Sequence, residues 1–322
     1  MPVKTAERKL IFPAVCIILA LSALALLPAL ERGSRQFAID RSGEVFLPLG
    51  EGFAAVSHGG MSVYSLEGEK LFGEERAFEP FLCRSDGERI IVSSENEVCL
   101  YDAGGFLGKL EGSGEVLSLA ICGDYSAVSR EDSWYKSAVT FYEGTEKLFT
   151  RCLAKGECTD ILLTDSFACL LTENEIHILR SAEDVTTVPV TEAVAIHPSG
   201  SGICLQRKDS LEFYSPDGEK RGSFEECFTL VRSFGGTVCA VTEDGTAALD
   251  SSGKIKGRYP ARPLKFGAGD SPVLIMGEEI FVFDEKMEFK YSIENKYIPL
   301  NVITDKNAAA LFWQRAAQVY RK

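Results

Sequence analysis

The sequence predicts an all-β fold, an eight-bladed β-propeller, and three observations lead to it. One apolar run recurs eight times between Phe53 and the C-terminus at nearly constant spacing. Each repeat unit contains four short strand-like runs separated by glycine, aspartate and serine turn signals, which leaves no room for a helix. An unassigned strand also lies just before the first unit, where it can complete the last one.

The most regular strand of the repeat reads FAAVS, IIVSS, SAVSR, ACLLT, ICLQR, VCAVT, VLIMG and AALFW. Successive centres are separated by 36, 36, 42, 35, 35, 35 and 36 residues, and they are Val56, Val92, Val128, Leu170, Leu205, Ala240, Ile275 and Leu311. A fixed period of this size is typical of repeat architectures, and short β units at this period form either a solenoid or a ring of blades.

The two ends of the chain favour the ring. The eighth unit stops at Lys322 after its third strand, and the strand Gln36 to Asp40 precedes the first unit. Pairing the two would supply the missing fourth strand and remove an open edge that invites aggregation. We therefore predict eight blades, with seven as the alternative if one unit is misassigned.

Turn-to-strand phrases such as SDGERIIVSSENEVCLYDAGG from Ser85 and TEDGTAALDSSGK from Thr242 resemble blades of the quinoprotein-like and WD40-like propeller superfamily. The chain is also similar to single-span propeller proteins of unknown function from Gram-positive anaerobes. The resemblance covers roughly residues 36–322 and implies the fold. The Trp-Asp strand endings of WD40 blades are replaced here by Tyr101-Asp102 and Phe283-Asp284, and Trp134 and Trp313 are the only tryptophans.

The N-terminus predicts a membrane anchor. Residues 10–30 carry no charge and are long enough to cross a hydrocarbon core of about 30 Å as a helix. Lys4, Arg8 and Lys9 precede them, so the positive-inside rule keeps residues 1–9 in the cytoplasm and puts the propeller, residues 36–322, outside, after a linker at 31–35. A cleaved signal peptide ending at the small-residue site around Ala23 is the alternative.

The charge balance argues against nucleic acid as a partner. The whole chain carries −13, and since residues 1–30 are net basic, the remainder carries −15. Phosphate backbones would be repelled by such a surface. The partner expected instead is an unidentified envelope protein or a cell-wall ligand.

Nine cysteines lie outside the anchor segment. Cys169, Cys204 and Cys239 occupy nearly the same place in successive units, which indicates packing rather than bridging. Cys152 and Cys158 form the one local candidate pair for a disulfide. No metal-ligand spacing occurs, and no catalytic residue, metal or cofactor is predicted.

The third unit is the one break in the period. Its extra residues are assigned to the hairpin Arg130 to Ala138, where Trp134 and Tyr135 are flanked by Arg130 and Lys136. This composition is typical of a protein-binding anchor. The competing interpretation is that the two aromatic side chains fold over a neighbouring blade.

Three functions are compatible with these patterns. The first is a non-catalytic, membrane-tethered extracytoplasmic scaffold or ligand-sensing module at the cell envelope. The second is a carbohydrate-active or quinone-cofactor enzyme that uses the central channel, which would need inward-facing acids at the channel mouth. The third is an assembly factor resembling the outer-membrane assembly propellers, although those are lipidated and Cys16 lacks a lipobox context.

Overall fold

The computed structural model describes residues 34–40, 43–77, 82–94, 97–304 and 308–321. In these ranges the chain is built from 33 β-strands and contains no helix. Accordingly, none of the described residues forms a helix that is long and apolar enough to span a bilayer. The predicted anchor at 10–30 lies outside the described residues.

The strands form eight sheets, one for each predicted unit. Strand β1 (Ser34–Ala38) comes first in the chain and belongs to the last blade. The strands of blades 1 to 4 follow, and each blade runs from its inner to its outer strand. Blade 1 has β2 (Val45–Leu49), β3 (Gly52–Ser57), β4 (Gly60–Ser65) and β5 (Lys70–Glu74), and blade 2 has β6 (Leu82–Ser85), β7 (Arg89–Ser93), β8 (Val98–Asp102) and β9 (Gly105–Leu110). Blade 3 has β10 (Val116–Cys122), β11 (Tyr125–Glu131), β12 (Ser137–Glu143) and β13 (Glu146–Leu153), and blade 4 has β14 (Asp160–Leu163), β15 (Ala168–Leu171), β16 (Glu175–Leu179) and β17 (Val185–Pro189).

Blades 5 to 7 repeat this order, and blade 8 has three strands of its own. Blade 5 has β18 (Ala193–Ser199), β19 (Gly202–Arg207), β20 (Leu211–Tyr214) and β21 (Lys220–Phe224), and blade 6 has β22 (Phe228–Phe234), β23 (Thr237–Thr242), β24 (Gly245–Leu249) and β25 (Ile255–Tyr259). The blade 7 segment has β26 (Lys265–Phe266), β27 (Ala268–Gly269), β28 (Val273–Ile275), β29 (Glu279–Phe283) and β30 (Phe289–Glu294). Blade 8 has β31 (Asn301–Thr304), β32 (Ala308–Trp313) and β33 (Ala316–Arg321). Inner strands of neighbouring blades contact one another around the centre.

Burial explains why the second and third strands of each blade gave the clearest sequence signal. All residues of β15 and β23 are buried, whereas the outer strand β5 is mostly exposed. A strand packed on both faces needs an unbroken apolar run, and here both faces pack against neighbouring blades. Cys169 of blade 4 and Ile203 of blade 5, for example, share one core cluster.

The ring closes as predicted. Strand β1 pairs antiparallel with β33, from Ser34 opposite Tyr320 to Ala38 opposite Ala316, and takes the outer position of blade 8. The observed strand begins two residues before the expected Gln36. Eight sheets are present, so the eight-bladed prediction is confirmed and the seven-bladed alternative is wrong.

Blade 7 departs from the regular four-strand plan. Its inner strand is interrupted at Gly267, and the short β27 that follows pairs in parallel with β31 of blade 8. A Cβ atom at Gly267 would lie 2.7 Å from a Val273 methyl carbon and 2.9 Å from the Val302 oxygen. The close approach of three backbone segments at this point therefore requires glycine.

Neighbouring blades are also joined by side-chain hydrogen bonds near the centre. The Ser85 hydroxyl donates to the Pro48 carbonyl between blades 1 and 2, at 2.6 Å. Ser233 donates to the Pro198 carbonyl between blades 5 and 6 at the same distance. Since proline offers no N–H, its carbonyl is the group available for such a link.

The described cysteines are all free thiols. Cys169, Cys204 and Cys239 are fully buried, in agreement with the predicted packing role. Cys152 is exposed while Cys158 is buried, so the one candidate pair does not form a bridge.

Candidate functional site

The predicted contact residues lie on blade 3, which has the longest strands of the ring. Strands β10, β11 and β12 have seven residues each and β13 has eight. The extra residues of this unit are thus shared between the hairpin and the strands that follow it. The result is a two-stranded extension, β11 and β12, that ends in a turn at residues 132–136.

The tip of this hairpin is held in one conformation by Asp132. Its Oδ1 accepts hydrogen bonds from the backbone amides of Trp134 and Tyr135, both at 2.9 Å. Trp134 is 91% exposed and Tyr135 is 46% exposed. The aromatic pair therefore does not fold over the neighbouring blade, and it projects into solvent from an ordered turn.

Arg130 lies below this surface rather than on it. Only 3% of the residue is exposed, and its Nη1 donates to the Gly114 carbonyl at 3.2 Å. The connection from blade 2 covers it so closely that a Cβ at Gly112 would lie 2.6 Å from its Nε. Burial lowers the pKa of Arg130, while the nearby Tyr142 favours the charged form. Arg130 is therefore buried at the base of the hairpin, not exposed at its tip.

Lys136 is exposed and lies just before the return strand β12 of the hairpin. Its backbone amide donates to the Leu153 carbonyl at 2.9 Å, which ties the tip to the end of the outer strand β13. Beside this contact lies a cavity of about 390 Å³ between blades 3 and 4. Leu153 also lines this cavity, so the Lys136 amide links the hairpin to the cavity wall.

The cavity is polar and carries an ion-pair network. Glu175 accepts a hydrogen bond from Lys155 Nζ at 2.9 Å, and its other carboxylate oxygen lies 3.4 Å from His177 Nε2. The hydrogen bond from Lys155 lowers the pKa of Glu175, and burial lowers that of His177. The Nε of Arg151 is buried with no hydrogen-bond partner among the described residues. These side chains can serve as a polar rim for the apolar tip.

Sequence reasoning identified the tip but missed the cavity beside it. Arg151, Lys155 and His177 lie on three separate segments of blades 3 and 4, and no spacing in the sequence relates them. The long outer strand β13, which brings Arg151 and Lys155 beside blade 4, was the available signal.

An acidic region lies at the centre of the ring, on the face that carries the turns between the first and second strands of the blades. Glu51, Asp86, Glu88 and Asp270 line a cavity of about 310 Å³ there. Asp86 is occupied structurally, because its Oδ2 accepts from the Gly123 amide at 2.7 Å. Within the described ranges, no group of three or more His, Cys, Asp or Glu side chains is arranged to hold a metal ion.

Solved structures with the same fold support the ring architecture. The chain superposes on the computationally designed protein Ika8 with a TM-score of 0.65 at 10% identity, covering 88% of this chain and 98% of Ika8. Apo AztD from Citrobacter koseri gives 0.61 at 11% identity, covering 90% and 99% of the two chains. BamB from Moraxella catarrhalis gives 0.56 at 13%, covering 89% and 98%.

These similarities define the class of the chain by fold, an eight-bladed β-propeller, and at such low identity they carry nothing further. No protein-family description matches the sequence, and no curated protein sequence matches it either. Function must therefore be argued from the chain's own residues.

Proposed function

We propose that this propeller is a non-catalytic protein-interaction scaffold, tethered to the membrane by residues 10–30, that contacts an envelope protein through the hairpin of blade 3. The observation that carries the proposal is the exposure of Trp134 at the end of an ordered turn. A large aromatic side chain left in water on a rigid support is a typical binding anchor.

The surroundings of Trp134 support this role. Asp132 orders the turn before any partner arrives, so little conformational entropy is lost on binding. Tyr135 adds apolar area with a polar hydroxyl, and Lys136 adds a positive charge in a domain that is strongly acidic as a whole. The polar cavity around Glu175 and His177 adjoins the tip and can accept the edge of a partner.

The first experiment tests this contact surface. The double variant Trp134→Ala/Tyr135→Ala is expected to lose crosslinking to its partner in living cells, with products identified by mass spectrometry, while its melting temperature stays within about 1 °C of wild type, because exposed side chains contribute little to stability. Tyr297→Ala is the matched control, since Tyr297 is 62% exposed but lies near blade 8. A large drop in melting temperature for the double variant, or unchanged crosslinks, would contradict the proposal.

The extracytoplasmic location is a proposal with its own test. Cys152 and Cys227 are exposed thiols of the propeller. A membrane-impermeant maleimide should label them on intact cells if the ring lies outside, and should fail to label a Cys152→Ser/Cys227→Ser variant. Labelling that appears only after lysis would place the ring in the cytoplasm.

The enzyme alternative depends on the acidic cavity at the channel mouth. Four carboxylates line it, and a glycoside hydrolase requires a pair of them. Asp86, however, is held by backbone amides of Gly123, Glu88 and Arg89, which is the arrangement of a turn-stabilising residue. Turnover of a polysaccharide that is lost in an Asp270→Asn variant would favour the enzyme over the scaffold.

A further inference from the structure

The centre of the ring contains a further cavity, and the hairpin of blade 3 does not line it. It has a volume of about 540 Å³ and is lined by the inner strands of blades 1, 2 and 6 and by inner segments of blades 7 and 8. Cavities that hold small molecules in proteins have volumes of roughly 300–1,000 Å³. The space is therefore large enough for a metabolite-sized ligand.

Two arginines line this cavity from opposite sides of the ring. Arg84 lies on β6 of blade 2 and Arg232 lies on β22 of blade 6, four blades away. The Nη1 of Arg84 donates to the Cys83 carbonyl at 3.0 Å, and the guanidinium of Arg232 lies 5.9 Å from the centre of the Phe234 ring. Neither has a carboxylate within 4.0 Å in the part of the chain that the structure describes. Both side chains are exposed to the solvent of the cavity.

The acid that interacts with Arg84 through space is already hydrogen-bonded to the backbone. The carboxylate of Asp160 accepts the amides of Ile196 at 2.9 Å and Ile161 at 3.1 Å. Burial raises the pKa of Asp160, while Arg84 and His197 favour its charged form through space. Its oxygens are thus directed at the backbone, and it balances the charge of Arg84 only from a distance.

His197 adds no full positive charge at neutral pH. Its Nε2 lies 2.9 Å from Gln206 Oε1, and burial lowers its pKa below the usual value.

Two carboxylates, Asp86 and Asp270, also line the cavity. Asp86 is hydrogen-bonded to backbone amides, and Asp270 is exposed in the turn that follows β27. An anion in the cavity is therefore disfavoured beside these two carboxylates and favoured beside the arginines.

Desolvation by nearby protein atoms lowers the pKa of Arg232 although the residue is exposed, and no ion pair among the described residues offsets this. A guanidinium presents parallel N–H donors that match carboxylate and phosphate oxygens. An anion in the cavity would supply the missing partner.

We propose that the central cavity binds a small organic anion with two acidic groups, carboxylate or phosphate, one held by Arg84 and the other by Arg232. Two separated acidic groups fit two guanidiniums that face the cavity from opposite blades. This site does not depend on the contact surface of blade 3, so either can fail without the other.

The test measures anion binding to the full-length chain in detergent micelles. Citrate and pyrophosphate are titrated by calorimetry at constant ionic strength, with acetate and chloride as monoanion controls. We expect saturable one-to-one binding of citrate, of pyrophosphate or of both, and which of them binds identifies the source of the acidic groups. Absence of binding by both citrate and pyrophosphate would overturn the proposal.

Variants assign the binding to the two arginines. Arg84→Gln and Arg232→Gln should each weaken binding about tenfold or more, as expected for the loss of charged hydrogen bonds, and the lysine variants should lie in between because they keep the charge. Arg221→Gln is the matched control, because Arg221 is exposed on the outer strand β21. Wild-type affinity in an Arg84→Gln/Arg232→Gln double variant would overturn the assignment.

The melting temperature without ligand separates a ligand-binding arginine from a structural one. Arg232→Gln should melt near the wild-type temperature when no anion is present, since it removes an exposed cation that has no ion-pair partner in the described part of the chain. A clear drop would mean that Arg232 stabilises the ring itself and would contradict the proposed role.

Discussion

Blade 1 and blade 5 carry the same short motif, YSLEGEK from Tyr64 and YSPDGEK from Tyr214, but they obtain the carboxylate that completes it from different parts of the chain. In both blades the tyrosine lies at or next to the end of the third strand and pairs with the lysine that begins the fourth. The tyrosine hydroxyl and the lysine ammonium then converge on one acid.

In blade 5 the acid is local. Glu212 lies on β20 and accepts from Tyr214 Oη at 2.8 Å, from Lys220 Nζ at 2.6 Å and from Arg207 Nη2 at 2.8 Å. Its side chain is only 12% exposed. The cluster is contained within one sheet and stabilises that sheet.

In blade 1 the position that corresponds to Glu212 is occupied by Ser62, and the acid comes from the N-terminal segment. Asp40 follows β1 and accepts from Ser62 Oγ at 3.1 Å, from the Tyr64 hydroxyl and from the Lys70 ammonium. Since β1 belongs to blade 8, this cluster ties the two ends of the ring together. The same type of cluster stabilises a single sheet in blade 5 and joins the two ends of the ring in blade 1.

Glu212→Gln should have the largest effect. The change leaves two cations, Arg207 and Lys220, around a neutral group that is mostly buried, and breaking such a pair costs several kcal/mol. We expect a loss of about 3 kcal/mol in the free energy of unfolding, measured by chemical denaturation. Glu225→Gln, an exposed acid of the same blade, is the control, and an effect of equal size there would contradict the role of Glu212.

Asp40→Asn should have a smaller global effect and a local one that Glu212→Gln lacks. Because 44% of the Asp40 side chain is exposed, its ion pair with Lys70 is screened by water, and we expect a loss of about 1 kcal/mol. Amide hydrogen exchange in β1 should accelerate, since the strand loses its tie to blade 1. Unchanged exchange in β1 would mean that pairing with β33 alone holds the seam.

A second change sharpens this comparison. Adding Ser62→Glu to Asp40→Asn moves the blade 5 arrangement into blade 1. Much of the lost stability should return, because the new carboxylate meets Tyr64 and Lys70 from within the sheet, but β1 should still exchange rapidly. Recovery of slow exchange in β1 would show that the source of the acid does not matter.

The pH dependence should be the smallest effect. Burial raises the pKa of both Asp40 and Glu212, but hydrogen bonds from the lysine and tyrosine of each cluster outweigh it, and both pKa values lie below their usual range. The stability from each acid is therefore fully present above its unfolded-state pKa, near pH 4, and is lost as the pH falls through the folded-state value. The difference between wild type and Glu212→Gln should be constant from about pH 5 to 7 and shrink below about pH 4. A difference that keeps its full neutral-pH size down to pH 3 would contradict this account.

The tyrosines of the two clusters respond in the opposite direction. Burial together with the adjacent carboxylate raises the pKa of Tyr64 and of Tyr214 to about 12. Their contribution is present below the ordinary tyrosine pKa and is lost as the pH rises through the folded-state value.

The predicted fold was accurate where burial on both faces left a continuous apolar run. Strands such as β15 and β23 were recognised for this reason, and the pairing of β1 with β33 followed from counting strands. The interruption of blade 7 was not predicted, because a glycine in a strand does not indicate that a third segment approaches it. Arg130 was expected at the surface, yet the connection from blade 2 covers it.

The sequence by itself determined the repeat, the eight blades and the closure of the ring, because these depend on apolar periodicity and turn residues that act over a few neighbours. The sequence also indicated Trp134 and Tyr135 as candidate contact residues, but it did not show that they are exposed. Only the tertiary structure decided which charged groups meet: Asp40 reaches Tyr64 and Lys70 across the seam, and Arg84 and Arg232 share one cavity. Such contacts depend on the position of each blade around the closed ring, and hydrophobic periodicity carries no information about the partners of charged side chains.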